Sequence, residues 1–176
     1  MSEQELNWVQ RLGQSGHKLT TAQRYYERGL DHFTNGRWPA ALADLDEALV
    51  HEPDNAEYYI TRGLILLQMG EDGEAEDDFI YGLGLDPTQW AAHYGRGMRA
   101  YKNAEYQAAI NQFSRAQHVA PERPEIYFHR AICFFKMANA TEAIRDMEFA
   151  QRLLDPDDKR HDQAKKWIDL FKTTQT

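Results

Sequence analysis

One cysteine, Cys133, stands in 176 residues, which excludes an intrachain disulfide framework and a cysteine-rich metal site. Its neighbours Ile132, Phe134 and Phe135 suit a buried, small apolar role better than a reactive thiol. No run approaches the ~18 consecutive apolar residues that a membrane span requires. The polar, acidic stretch Met1 to Gln10 does not read as a secretory signal. These absences lead to the expectation of a cytoplasmic protein without direct membrane insertion. Basic charge is also short: 20 Lys and Arg oppose 28 Asp and Glu, for a net charge of −8. With no local basic stripe visible, nucleic acid is not an expected partner.

Catalytic constellations are missing as well. The histidines (His17, His32, His51, His93, His118, His129, His161) show no paired metal-ligand spacing and no H-E-x-x-H. Gly82-x-Gly84 and Gly95-x-Gly97 lack the rest of a dinucleotide fingerprint and fall inside expected helices. Neither G-x-x-x-x-G-K-[ST] nor G-x-S-x-G occurs. The expectation is therefore no cofactor, no metal and no enzymatic activity of the chain's own.

What is present is a period. Ala41, Ala75, Ala109 and Ala143 recur 34 residues apart. Arg28-Gly29 returns at that interval as Arg62-Gly63, Arg96-Gly97 and Arg130-Ala131. Leu45, Phe79, Phe113 and Met147 follow each alanine by four places, and Ala48, Gly82, Ala116 and Ala150 by seven. Pro53, Pro87 and Pro121 keep the register, while Pro156 slips by one. Several independent columns in one register mark a repeat architecture.

The columns resemble the tetratricopeptide repeat, W-x2-L-G-x2-Y, then A-x3-F, then P. The first copy reads Tyr25-x2-Arg28-Gly29, Ala41-x3-Leu45, Pro53, and the likeness extends over about residues 21–156. Departures are Tyr, Tyr, His93 and Tyr in place of tryptophan, Arg throughout in place of leucine, and His32, Leu66, Ala100 and Phe134 in place of the last tyrosine. The resemblance implies an all-α fold, an α-solenoid of four helix-turn-helix hairpins. Residues 1–20 are expected as a helical extension and hinge, the repeats as about 22–55, 56–89, 90–123 and 124–156, and residues 157–176 as a capping helix and tail.

The spacing predicts helices over 22–35, 38–51, 56–69, 72–85, 90–102, 106–119, 124–137 and 140–153. Leu6, Val9 and Leu12 with Trp8 suggest a short helix over 3–12, and Gly13 to Gly16 a hinge. Asp157 to Lys172 is amphipathic through Ala164, Trp167, Ile168 and Phe171, and would cover the open end of the last hairpin. All six prolines fall at expected helix starts or just past helix ends. Asp54 with Glu57 resembles a capping box. Gly29 facing Ala41 is expected to let the two helices of a hairpin approach closely.

Arg28, Arg62, Arg96 and Arg130 are followed 16 places later by Asp44, Asp78, Gln112 and Asp146. In an antiparallel hairpin this offset predicts a repeated ion pair, with Arg96 the least provided for; the alternative is an arginine ladder for an acidic peptide, which the ready internal partners of the other three disfavour. The acidic run Glu71 to Asp78 is read as a solvated face, with an electrostatic docking patch as the alternative.

The resemblance also implies a binding groove lined by the first helix of each hairpin. Its positions are Tyr26, Leu30 and Phe33; Ile60, Leu64 and Leu67; Tyr94, Met98 and Tyr101; Phe128, Ile132 and Phe135. All are apolar or aromatic, and the i, i+4, i+7 spacing puts each trio on one helix face. Each first helix thus has two apolar stripes, and the second either joins the core or needs cover. The carboxylate clamp of some family members is not expected, because Tyr26, Leu30, Thr61, Ala91 and Gly95 stand where its polar residues belong. Lys102 and Lys136 are candidates for the groove edge. The expected function is a scaffold or adaptor that binds an apolar helix or peptide of a partner protein. The alternatives are a secretion or assembly chaperone that shields a client, and a self-assembling subunit with Trp8 docking into a neighbouring copy.

Overall fold

The computed structural model describes residues 19–173. The sequence-predicted helix over 3–12 and the hinge after it lie outside the described residues. Nine helices and no strands occur among those described: α1 Thr21–Thr34, α2 Trp38–His51, α3 Ala56–Met69, α4 Asp72–Leu85, α5 Trp90–Lys102, α6 Tyr106–Val119, α7 Pro124–Lys136, α8 Ala140–Leu153 and α9 Lys159–Thr173. The repeat register therefore places helix boundaries to within a residue or two. The chain divides into two compact units, one ending at Pro53 and the other beginning at Asp54.

The first unit holds the hairpin α1–α2. Thr20 opens it with a reciprocal capping box, its hydroxyl accepting the Gln23 N–H while the Gln23 side chain accepts the Thr20 N–H. This T-x-x-Q signal satisfies two N–H groups that a helix start leaves without partners. A Cβ on Gly29 would collide with the Leu45 side chain and touch the Ala41 carbonyl. The close approach expected from the Gly and Ala columns is thus present, with Leu45 filling the space beside it.

The second unit stacks three hairpins, α3–α4, α5–α6 and α7–α8, each against the next, and closes with α9 on α8. It is an α-solenoid arrangement. A Cβ on Gly63 would stand 2.8 Å from Phe79, and one on Gly97 would stand 2.6 Å from Phe113. Those two phenylalanines are wholly buried, as are Ala75, Ala109, Ala143 and Met147. Fully burying such a side chain contributes about 1.5–3 kcal/mol, which outweighs the roughly 1 kcal/mol that glycine costs inside a helix. Ala164, Ile168 and Phe171 of α9 are buried against the last hairpin, so the terminal helix caps the stack as its apolar spacing predicts.

Asp54 is not the cap of α3. Asn55 is, and its side chain accepts the Glu57 N–H at 3.1 Å.

A further column joins the repeat. Gly36, Gly70, Ala104 and Ala138, spaced by 34, all have positive φ, at 70°, 90°, 58° and 58°. Each ends the first helix of its hairpin in a Schellman turn. The next N–H reaches back five residues, as in Arg37 to His32 O at 2.8 Å and Glu105 to Ala100 O at 2.9 Å. Glycine enters this left-handed region freely, whereas alanine costs roughly 1–2 kcal/mol there.

Candidate functional site

The arginine column forms the ion pairs that its spacing predicts in three hairpins. Arg28 grips Asp44 through Nε at 2.8 Å, Arg62 grips Asp78 at 2.8 and 2.7 Å, and Arg130 grips Asp146 at 2.6 and 3.0 Å. Each guanidinium also lies over the tyrosine three places before it, 5.1–5.5 Å from the ring centre at Tyr25, Tyr59 and Tyr127. Arg130 donates in addition to Ser114 and Gln117 of the preceding hairpin. The column thus holds hairpins together internally and, at Arg130, to one another.

Arg96 behaves differently. With glutamine at 112, it turns to Glu76 of the preceding hairpin at 2.7 Å, and Arg99 meets the same carboxylate at 3.3 Å. Lys102 donates to the Leu67 carbonyl at 3.1 Å and pairs with Asp72 at 3.4 Å. Arg96, Arg99 and Lys102 therefore form a basic row on α5 laid against Asp72 and Glu76 on α4. Lys102, a candidate for the groove edge, is thus also a tie between hairpins, and the basic row is paired with acids. Half of the acidic run is likewise occupied internally, since Asp72, Glu76 and Asp78 all have partners, while Glu71, Glu74 and Asp77 stay exposed. The i, i+3, i+6 spacing of 96, 99 and 102 and the i, i+4 spacing of 72 and 76 were the available signal.

The candidate groove residues of the second unit lie where its stacked first helices meet. In the first unit Tyr26, Leu30 and Phe33 are half-buried on α1. In the second, α3 lies along α5 and α5 along α7. Ile60, Leu67 and Ile132 are buried. Leu64, Tyr94, Met98, Tyr101, Phe128 and Phe135 are half-buried. Tyr94, Met98, Tyr101 and Phe128 pack on the buried cluster around Phe113, and Phe135 stacks on Phe171 of α9 with ring centres 4.5 Å apart. The second apolar stripe is therefore not a fully exposed band, because packing between successive hairpins consumes much of it. What remains open in the second unit is the outer part of six side chains. Lys136 is exposed at the end of α7.

One polar side chain inside this packing, His129, was not singled out from sequence as a site residue. His129 Nδ1 lies 3.2 Å from the Tyr94 hydroxyl and 2.9 Å from the Glu125 carbonyl oxygen; the Nδ1–H tautomer donates to that carbonyl, and the Nε2–H tautomer accepts from the hydroxyl. Burial lowers the His129 pKa and raises that of Tyr94. Cys133 is fully buried and its thiol is pushed up to about 12 by burial, so it belongs to the core as its neighbours suggested. No helix among the described residues is long and apolar enough to cross a membrane.

Comparison with known proteins agrees with this geometry. A family profile described as tetratricopeptide repeat matches residues 26–89 and 91–158. DnaJ homolog subfamily C member 3 of Mus musculus is 28% identical over 144 residues, covering 73% of this chain and 29% of that protein. Protein SGT1 homolog of Homo sapiens is 31% identical over 110 residues, covering 62% of this chain and 29% of that protein. The chain thus spans less than a third of these relatives. Among solved structures, a thermophilic TPR protein of Thermus thermophilus is similar with a TM-score of 0.74 at 14% identity, over 88% of this chain and 83% of that one. MamA of Desulfovibrio magneticus RS-1 has a TM-score of 0.65 at 21% identity, over 88% of this chain and 94% of that one.

Proposed function

The chain belongs to the tetratricopeptide repeat family, and from that premise we propose that it is a non-catalytic scaffold holding an apolar helix or peptide of a partner protein against α3, α5 and α7. The fold is that of a protein-interaction module; the apolar ligand and its site are the proposal. The observation that carries it is the row of half-buried apolar side chains, Leu64, Tyr94, Met98, Tyr101, Phe128 and Phe135, on first helices that lie side by side. Side chains already fixed by packing lose little further freedom when a ligand covers them, which favours their use as anchors. The proposed setting is the cytoplasm. The absence of catalysis is part of the proposal, supported by a single thiol that is buried and protonated at neutral pH.

The test must separate binding from folding, so Tyr94, tied into the core through His129, is a poor choice. Leu64→Gln combined with Met98→Gln keeps side-chain volume near its original value while placing amides on the face. The expected result is loss of partners that co-purify with the unaltered chain, with retained helical content and a cooperative melt. Full retention of those partners by the double variant would refute the site. A partner that leaves once its own complex is assembled would indicate a shielding chaperone instead of a resident scaffold.

A further inference from the structure

Three hairpins give their column arginine both a carboxylate and an aromatic face; the third gives Arg96 neither. Gln112 replaces the aspartate, and His93 replaces the tyrosine, with its Nδ1 3.3 Å from the Gln112 amide oxygen. Arg96 and Arg99 share the one carboxylate of Glu76, which Arg99 meets through Nε at 3.3 Å; the Nε atoms of both are enclosed and make no hydrogen bond, so the part open to an outside group is the remainder of each side chain. Their side chains are nonetheless 24% and 30% exposed. Arg115 stands exposed on α6. Burial is the main cause of the lowered His93 pKa, and Arg115 and Arg96 lower it further. The excess of positive charge is regional. In residues 90–119 four basic residues (Arg96, Arg99, Lys102, Arg115) stand against one acid (Glu105), and with Asp72 and Glu76 of α4 included the balance is four to three, within a chain whose net charge is −8.

We infer that the surface formed by Arg96, Arg99, Arg115, His93 and Gln112 on the third hairpin is a second binding site, one that takes carboxylate side chains of an acidic segment of a partner protein. Guanidinium groups whose donors are incompletely used bind carboxylates with directional, charge-assisted hydrogen bonds. In the other hairpins the equivalent arginine already holds an internal aspartate, so an external carboxylate would have to displace it. An acidic partner segment fits the local positive balance of this surface within an otherwise acidic chain. The site uses none of the apolar residues proposed above, nor the family clamp positions at Tyr26, Leu30, Thr61, Ala91 and Gly95. It adds to the scaffold reading an acidic stretch flanking the apolar segment.

Hexaglutamate is a suitable probe, titrated into the full chain at about 20 mM salt, where screening is weak, with the His93 ring resonances as readout. Saturable shifts that vanish at high salt are expected. Gln112→Asp should return Arg96 to an internal partner, raise Tm and weaken binding about fivefold, the factor of one surface ion pair. Arg115→Gln should weaken binding with Tm unchanged, which keeps the test valid if Gln112→Asp folds poorly. Leu64→Gln with Met98→Gln should leave hexaglutamate binding intact, so the two sites fail or stand separately. Absence of saturable binding, or equal binding by the original chain and by Arg115→Gln, overturns the inference. Self-association that Arg115→Gln abolishes would also overturn it, by making the occupant a second copy.

Discussion

Replacing Arg130 by methionine removes the most enclosed member of the arginine column and should be the most damaging change in it. Arg130 and Asp146 have side chains only 10% and 5% exposed. Removing the cation leaves Asp146 buried without its counter-charge, and also frees Ser114 and Gln117 from their shared donor. Breaking a buried pair from one side costs about 3–5 kcal/mol. At roughly 2–4 °C per kcal/mol for a domain of this size, Tm should fall by about 6–20 °C. Arg62→Met should cost less, because Arg62 is 25% exposed, and Arg28→Met least, because Arg28 is 58% exposed. The decisive comparison is Arg130→Met with Asp146→Leu, which removes both charges and should recover most of the loss. Urea and thermal melts followed by circular dichroism measure the series. If the three single variants lost equal stability, or if the double variant were as unstable as Arg130→Met alone, the argument that burial sets the value of each pair would be refuted.

Ala104→Gly and Ala138→Gly should each stabilise the chain, since glycine removes about 1–2 kcal/mol of left-handed strain and gives back about 0.4–1 kcal/mol in unfolded-chain entropy. A rise in Tm for both is expected, and a fall in either would contradict the positive φ at that turn. Stability should also decline in mild acid through His129 and His93, whose pKa values are lowered mainly by burial. The unfolded chain binds protons first as pH drops below about 6.5. The contribution is therefore complete above that pH and is lost as pH falls through the lower folded values. Melts across this range, repeated on His129→Gln, should show a shallower acid decline in the variant.

The hairpins were legible in the sequence because packing between two helices demands small and large residues at fixed places, and a 34-residue period repeats that demand. Arg28, Arg62 and Arg130 were legible for the same reason, since a constant offset of 16 carries each onto the facing helix. The Schellman column was harder to see. Gly36 and Gly70 signal a left-handed turn, but Ala104 and Ala138 occupy it against their own preference, so residue type alone hides the pattern. The candidate face was legible only as apolar spacing. Spacing cannot divide a stripe between core and surface, because burial depends on the neighbouring hairpin.

By itself the sequence determined the repeat, the helix boundaries, the small-residue contacts inside each hairpin and the pairing of three arginines with their aspartates. All are local consequences of helical periodicity within one hairpin. Only the tertiary structure decided what happens between hairpins. It turned Arg96, Arg99 and Lys102 onto Glu76, Asp72 and the Leu67 carbonyl. It buried Ile60, Leu67 and Ile132 while leaving Leu64 and Met98 half-open, and enclosed His129 beside Tyr94. The physical reason is that contacts between hairpins depend on the angle and depth at which one helix pair seats on the next, and that seating is set by the packed side chains together.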